Sequence, residues 1–172
     1  MKKLLISAGA VAALALTSAP AAATPVSASA NAKAKIYRPL TITKNSDLDF
    51  ATIVLSGAAP YTDTVTVSQA GAITCGTHVT CSGTPAAANF TVKGTSNSTA
   101  AISLASGTVT LAGTNTPSNT LTLTLNAPTT LAIGSAGPTT GASFGVGGSI
   151  PVSDTTPDDL YTGSFTVNAD YQ

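Results

Sequence analysis

Tyr161-Thr-Gly-Ser-Phe-Thr-Val-Asn-Ala-Asp-Tyr-Gln172 closes the chain, and its spacing decides the fold. Tyr161, Gly163, Phe165, Val167, Ala169 and Tyr171 share one register, and Ser164, Thr166, Asn168 and Asp170 fill the other. Side chains alternate across a strand with period two, so the stretch predicts a final β-strand with one apolar and one polar face. With Tyr171 as an anchor and no polar tail behind it, the terminus is expected to close the sheet or to offer its edge to a partner.

The same alternation recurs upstream. Leu121, Leu123 and Leu125 oppose Thr120, Thr122 and Thr124, and Val65 and Val67 sit between threonines. Runs rich in Thr, Val, Ile and Leu, punctuated by Gly, Pro, Asn and Ser, predict strands at 34–43, 48–56, 63–69, 89–94, 100–105, 108–112, 120–126, 143–152 and 161–171. The expectation is an all-β, antiparallel Greek-key sandwich of immunoglobulin-like type spanning residues 34–172. Phe50, Val65, Val67, Phe90, Val92, Leu121, Leu123, Leu125, Phe165 and Val167 are expected to face inward. Periodicity does not report whether such a sheet closes into a barrel. Residues 114–118 and 136–141 read as exposed loops, and no linker divides the domain.

The N-terminus carries Lys2 and Lys3, an apolar run over residues 4–16, and Ala21-Ala22-Ala23. That order is a signal peptide of bacterial style over residues 1–23, cleaved after Ala23. Residues 24–33 then form an N-terminal extension or edge strand. The expected destination is the periplasm, the cell surface or the medium, without a transmembrane anchor after cleavage. Only 8% of the chain is charged, against about 25% in ordinary soluble domains, and Glu and Trp are absent. Past the leader, the cations Lys33, Lys35, Arg38 and Lys44 come early, and Asp154, Asp158, Asp159 and Asp170 come late. That polarity favours head-to-tail contact, and the weak net charge permits self-association. No basic stripe with interleaved aromatics is present, so nucleic acid is not an expected partner.

Chemistry-bearing residues are sparse. Cys75 and Cys81 enclose Gly-Thr-His-Val-Thr, and in an exported chain so close a pair reads as a disulfide stapling a loop or hairpin. A metal site built from both thiolates and His78 would lack a fourth ligand. A redox pair would prefer two intervening residues. His78, the single histidine, reads as a solvated loop side chain. Asp158 and Asp159 follow Pro157 and read as a turn. Asp47 and Asp49 flank Leu48 on the solvent face of a strand. Gly145, Gly147 and Gly148 lie inside a predicted strand, where glycine marks a bulge or a close approach between sheets. Asn89 and Asn97 fit the glycosylation pattern, which bacterial export makes uninformative. No catalytic, metal-binding or cofactor-binding residue is assigned, and the chain is not expected to be an enzyme.

Leu48-Asp-Phe-Ala-Thr-Ile-Val near the start and Val146-Gly-Gly-Ser-Ile-Pro-Val near the end, followed by the closing stretch quoted above, carry a resemblance. Together with Pro39-Leu40-Thr-Ile-Thr they resemble the domain-of-unknown-function family 4402, found in exported bacterial proteins. Ala51 stands where that pattern commonly has glycine. The ending is also similar to that of chaperone–usher pilin subunits, whose last strand carries a penultimate tyrosine. That resemblance implies strand addition by a periplasmic chaperone or a neighbouring subunit, with Phe165, Val167, Ala169 and Tyr171 as the interaction strand. Val26, Ala28, Ala30, Ala32, Ala34 and Ile36 alternate as a candidate donated strand. Two function classes follow. One is a surface structural subunit that self-associates through strand edges. The other is a monomeric exported module binding a glycan or envelope component, for which Tyr37 and Tyr61 are the aromatic candidates.

Overall fold

The largest sheet orders its strands β1 (Thr41–Ser46), β6 (Ala88–Lys93), β11 (Ala142–Ser153), β9 (Thr120–Asn126), β8 (Thr108–Gly113) and β12 (Tyr161–Thr162). β3 (Thr62–Val67) also pairs with β11 and carries β4 (Ile73–Thr74) on its other side. A second sheet orders β10 (Thr130–Ile133), β7 (Ser98–Leu104) and β13 (Val167–Tyr171). β2 (Thr52–Leu55) and β5 (Val79–Ser82) form a separate pair. This computed structural model describes residues 24–172, so the expected signal peptide 1–23 lies outside them. Every ladder is antiparallel, and no helix occurs among the described residues. The predicted all-β sandwich is the observed fold class.

The alternation of the sequence becomes the two faces of each strand. Val65, Phe90, Val92, Leu123, Leu125, Phe144, Val146, Ile150 and Val152 of the large sheet pack in one cluster with Ala100, Ile102, Ile133 and Val167 of the second. Val67 is also buried. Phe90 joins the layers, its ring centroid 5.6 Å from Phe144 and 6.3 Å from Phe165. Each buried aliphatic side chain contributes about 1.5–3 kcal/mol relative to exposure. The cross-strand pairs Thr110 with Thr122 and Leu111 with Leu121 hold the register, because a one-residue slip would turn the leucines outward.

β11 is the strand the others depend on. Residues 142–146 pair with β6, 147–149 with β9 and 148–153 with β3. Gly145 and Gly147 allow the end of β3 to cross close above it. A Cβ at Gly145 would collide with the Gln69 carbonyl oxygen, and one at Gly147 with that of Val67. The glycines thus mark a close approach of backbones, within one sheet where the sequence predicts a bulge or an approach between sheets.

Three predicted strands change in the structure. The strand expected over 34–43 begins at Thr41, since Pro39 has no N–H and restricts Arg38 before it. The compact unit itself begins at Ile36, and residues 24–35 are exposed and make no strand. The strand expected over 48–56 is cut to Thr52–Leu55 because Ala51 takes φ 56°. Asp49 Oδ1 accepts the Ala51 N–H at 2.7 Å and holds that kink. The closing stretch is two strands: β12 pairs with β8 in the large sheet, and β13 pairs with β7 in the second. Residues 163–166 cross between the sheets without breaking the inward register. β4, β5 and β10 are short, and their composition reads as loop, so periodicity does not reveal them.

The kink at Ala51 explains why a glycine suits that position. Left-handed backbone costs a non-glycine residue about 1–2 kcal/mol, against about 0.5–1 kcal/mol of extra chain entropy for glycine. Ala51→Gly is therefore expected to stabilise the fold by up to about 1 kcal/mol, read as a higher urea midpoint with an unchanged slope.

Candidate functional site

The second sheet and the β2–β5 pair do not cover the whole inner face of the large sheet. A groove of about 710 Å³ lies between the β2 segment and the β12 segment. Its floor is Leu111, Leu121, Leu123, Ile150 and Val152; Phe50, Ile53 and Leu55 line it from the β2 segment, and Leu160, Tyr161 and Phe165 from the β12 segment. This explains why Phe50, Leu121 and Phe165, all expected in the core, are only half-buried. They face inward, and the layer above them is missing. One edge of β2 pairs with β5 and one edge of β12 pairs with β8; neither has a second ladder partner among the described residues. The β9–β11 ladder ends at Ser149, two residues before Pro151, which has no N–H to donate.

Three carboxylates line the groove, Asp49, Asp158 and Asp159, with no Lys, Arg or His. Asp159 accepts the most hydrogen bonds of the three. It accepts the Asn115 N–H and side-chain amide at 3.0 Å each, the Thr116 N–H at 2.9 Å and the Leu160 N–H at 2.8 Å. The Asn115 backbone N–H is the largest cause holding its carboxyl below the usual carboxylate range, and partial desolvation opposes it. The turn expected at Asp158-Asp159 falls earlier, at residues 154–155; Asp159 sits at a bend and ties residues 115–116 to the groove.

Because Asp159 is held below its unfolded pKa, its contribution to stability is complete above the unfolded value of about 3.9 and is lost as pH falls through the folded one. The Asn115 and Thr116 amide resonances are expected to titrate with a midpoint below about pH 3.9, and Asp159→Asn should abolish that titration.

The predicted interaction strand packs against its own chain. Val167 is buried, and Phe165, Ala169 and Tyr171 are half-buried against the core. β13 pairs with β7 from Val167–Leu104 to Tyr171–Ala100. The Tyr171 hydroxyl donates to the Arg38 carbonyl at 2.6 Å and accepts the Thr95 N–H at 2.7 Å. Its ring stacks on Tyr37 with centroids 4.5 Å apart. Tyr171 is a lock between the first and last segments of the domain. Tyr171→Phe should cost about 1–3 kcal/mol in denaturant unfolding, since a part-buried N–H loses its acceptor while the ring stays.

Cys75 and Cys81 form the expected disulfide, Cα atoms 6.3 Å apart, joining the chain just beyond β4 to β5. His78 inside that ring is more engaged than a solvated loop residue. Its N–H donates to Asp63 Oδ2 at 2.6 Å, its carbonyl accepts from Ser56 and Gly57, and its ring lies 5.0 Å from Tyr61. Nδ1 is buried 3.3 Å from Asp63 Oδ2. Tyr61 is 8% exposed, and burial raises its phenol pKa, with Asp154 and Asp63 adding to the rise. Of the two aromatic candidates, Tyr61 is buried against His78, and Tyr37 is half-buried and stacked on Tyr171. Asp47 pairs with Lys44 at 2.6 Å. Sequence reasoning missed the groove, whose one legible sign is the exposed aliphatic Leu160 beside the acidic pair, 65% exposed.

No helix among the described residues is long and apolar enough to cross a membrane. Comparison with curated proteins and with solved structures finds no match. A family comparison matches residues 40–171, from the start of β1 to the tyrosine lock. That span is well over half of the chain, and the protein belongs to the family described as Domain of unknown function (DUF4402).

Proposed function

We propose that the protein is an exported bacterial structural subunit that associates by β-strand addition into the groove between β2 and β12. The supporting observation is an apolar floor beside two strand edges without a second ladder partner among the described residues. Backbone N–H and C=O groups on such edges are satisfied by an added strand, and alternate side chains of that strand fill the floor. The exposed segment 24–36 has the required alternation, with Val26, Ala28, Ala30, Ala32, Ala34 and Ile36 in one register. A disulfide suits an oxidising compartment. A periplasmic chaperone that adds a strand would use the same groove before assembly. The role is structural and not enzymatic.

The test compares the chain recovered after export with a version beginning at Ile36. Strand donation predicts that the longer chain multimerises in light scattering and that the shorter one is a folded monomer by circular dichroism. Its association should be at least about tenfold weaker, a difference of about 1.4 kcal/mol. Equal association of the two proteins would overturn the proposal.

A further inference from the structure

The groove carries charge of one sign, and so does the segment proposed to fill it. Within residues 24–36 the charged side chains are Lys33 and Lys35, both near one end and both in the register opposite Val26 to Ile36. The groove offers Asp49 from the segment before β2, and Asp158 and Asp159 from the segment before β12. We infer that these carboxylates recognise the lysine pair of a second copy and thereby set the direction and register of the incoming strand. This rests on strand addition as the mode of association.

Shape alone specifies the register poorly. Four of the six apolar positions are alanine, so a shift by two residues exchanges one small methyl for another and leaves most of the floor contacts unchanged. Charge supplies what the alanines do not. With the apolar register against Leu121, Leu123 and Ile150, the lysines point away from the floor. Their flexible stems let the ammonium groups reach carboxylates at the groove margin. A shift by two residues would leave one lysine of the pair at those carboxylates instead of two, and a reversed strand would leave neither. Asp159 is saturated by four hydrogen bonds from its own chain and acts through its fixed charge. Asp49 uses Oδ1 to hold the Ala51 kink. Asp158 is exposed next to Asp159 and is the carboxylate that a substitution can remove without touching those bonds.

The occupant is a second copy because the segment starts from a fixed point at the other end of β13. Tyr37 stacks on Tyr171 and the Arg38 carbonyl accepts from its hydroxyl. Phe165 of the groove lies six residues before Tyr171, roughly 20 Å along an extended chain. A strand given by one copy to the groove of the next is a head-to-tail contact, which forms a ring or an open filament according to whether its rotation closes.

The experiment uses the full chain, exported and purified, with association measured by light scattering at low and high salt. Asp158→Lys alone, or Lys33→Asp with Lys35→Asp, should weaken association about three- to tenfold at low salt, with the difference shrinking at high salt. All three substitutions in one chain should recover only part of what Lys33→Asp with Lys35→Asp loses, because position 158 is then complementary while Asp49 and Asp159 still repel the reversed segment. Single-side variants that assemble like the parent, or a triple variant that associates no better than the Lys33→Asp, Lys35→Asp chain while circular dichroism shows it folded, would overturn the inference. A monomer at every concentration, with residues 24–35 protected from protease, would mean that the segment fills its own groove, and would also overturn it. If removing residues 24–35 abolishes association while charge reversal does not, charge recognition fails and strand addition stands. If removal leaves association unchanged, strand addition itself fails.

Discussion

Gly145 and Gly147 are the contact on which the large sheet depends. β11 pairs with β6, β9 and β3 along its twelve residues, and it can do so because the backbone at Val67 and Gln69 lies directly against those two glycines. Any side chain there would push β3 off β11. Val65 and Val67, both essentially without exposed surface, would then lose their cover. A backbone close approach of this kind needs the one residue that has no Cβ.

The same arrangement leaves the sandwich unfinished. The second sheet has three strands and the β2–β5 pair two, against a large sheet of eight. Leu123, Ile150 and Val152 are buried at the bottom of the groove, and half-buried Leu121, Phe50 and Phe165 face it. The rest of the exterior is made of threonine, serine and asparagine, so with 8% charged residues the three groove carboxylates weigh heavily in the local field.

The two ends of the domain are held differently. At the C-terminus, Tyr171 is held by a ladder, a stacked ring and two hydrogen bonds. The N-terminal segment 24–35 has no strand of its own, and the compact unit begins at Ile36. A tyrosine at the very end of a strand thus serves the fold first, by pinning the point from which the N-terminal segment departs.

By itself the sequence determined the secondary-structure class, the inward register of nearly every long strand and the Cys75–Cys81 pairing. Each of these follows from local alternation or from a short spacing. Only the tertiary structure decided which strands share a sheet, because pairing joins residues far apart in the chain, as Tyr171 with Arg38 and Thr95. It also decided that 161–171 crosses from one sheet to the other and that Ala51 is left-handed, a choice set by Asp49 and by the need to turn β2 toward β5. The groove was illegible for the same reason. Alternation says which side chains face inward, but it cannot say whether another layer lies there to cover them.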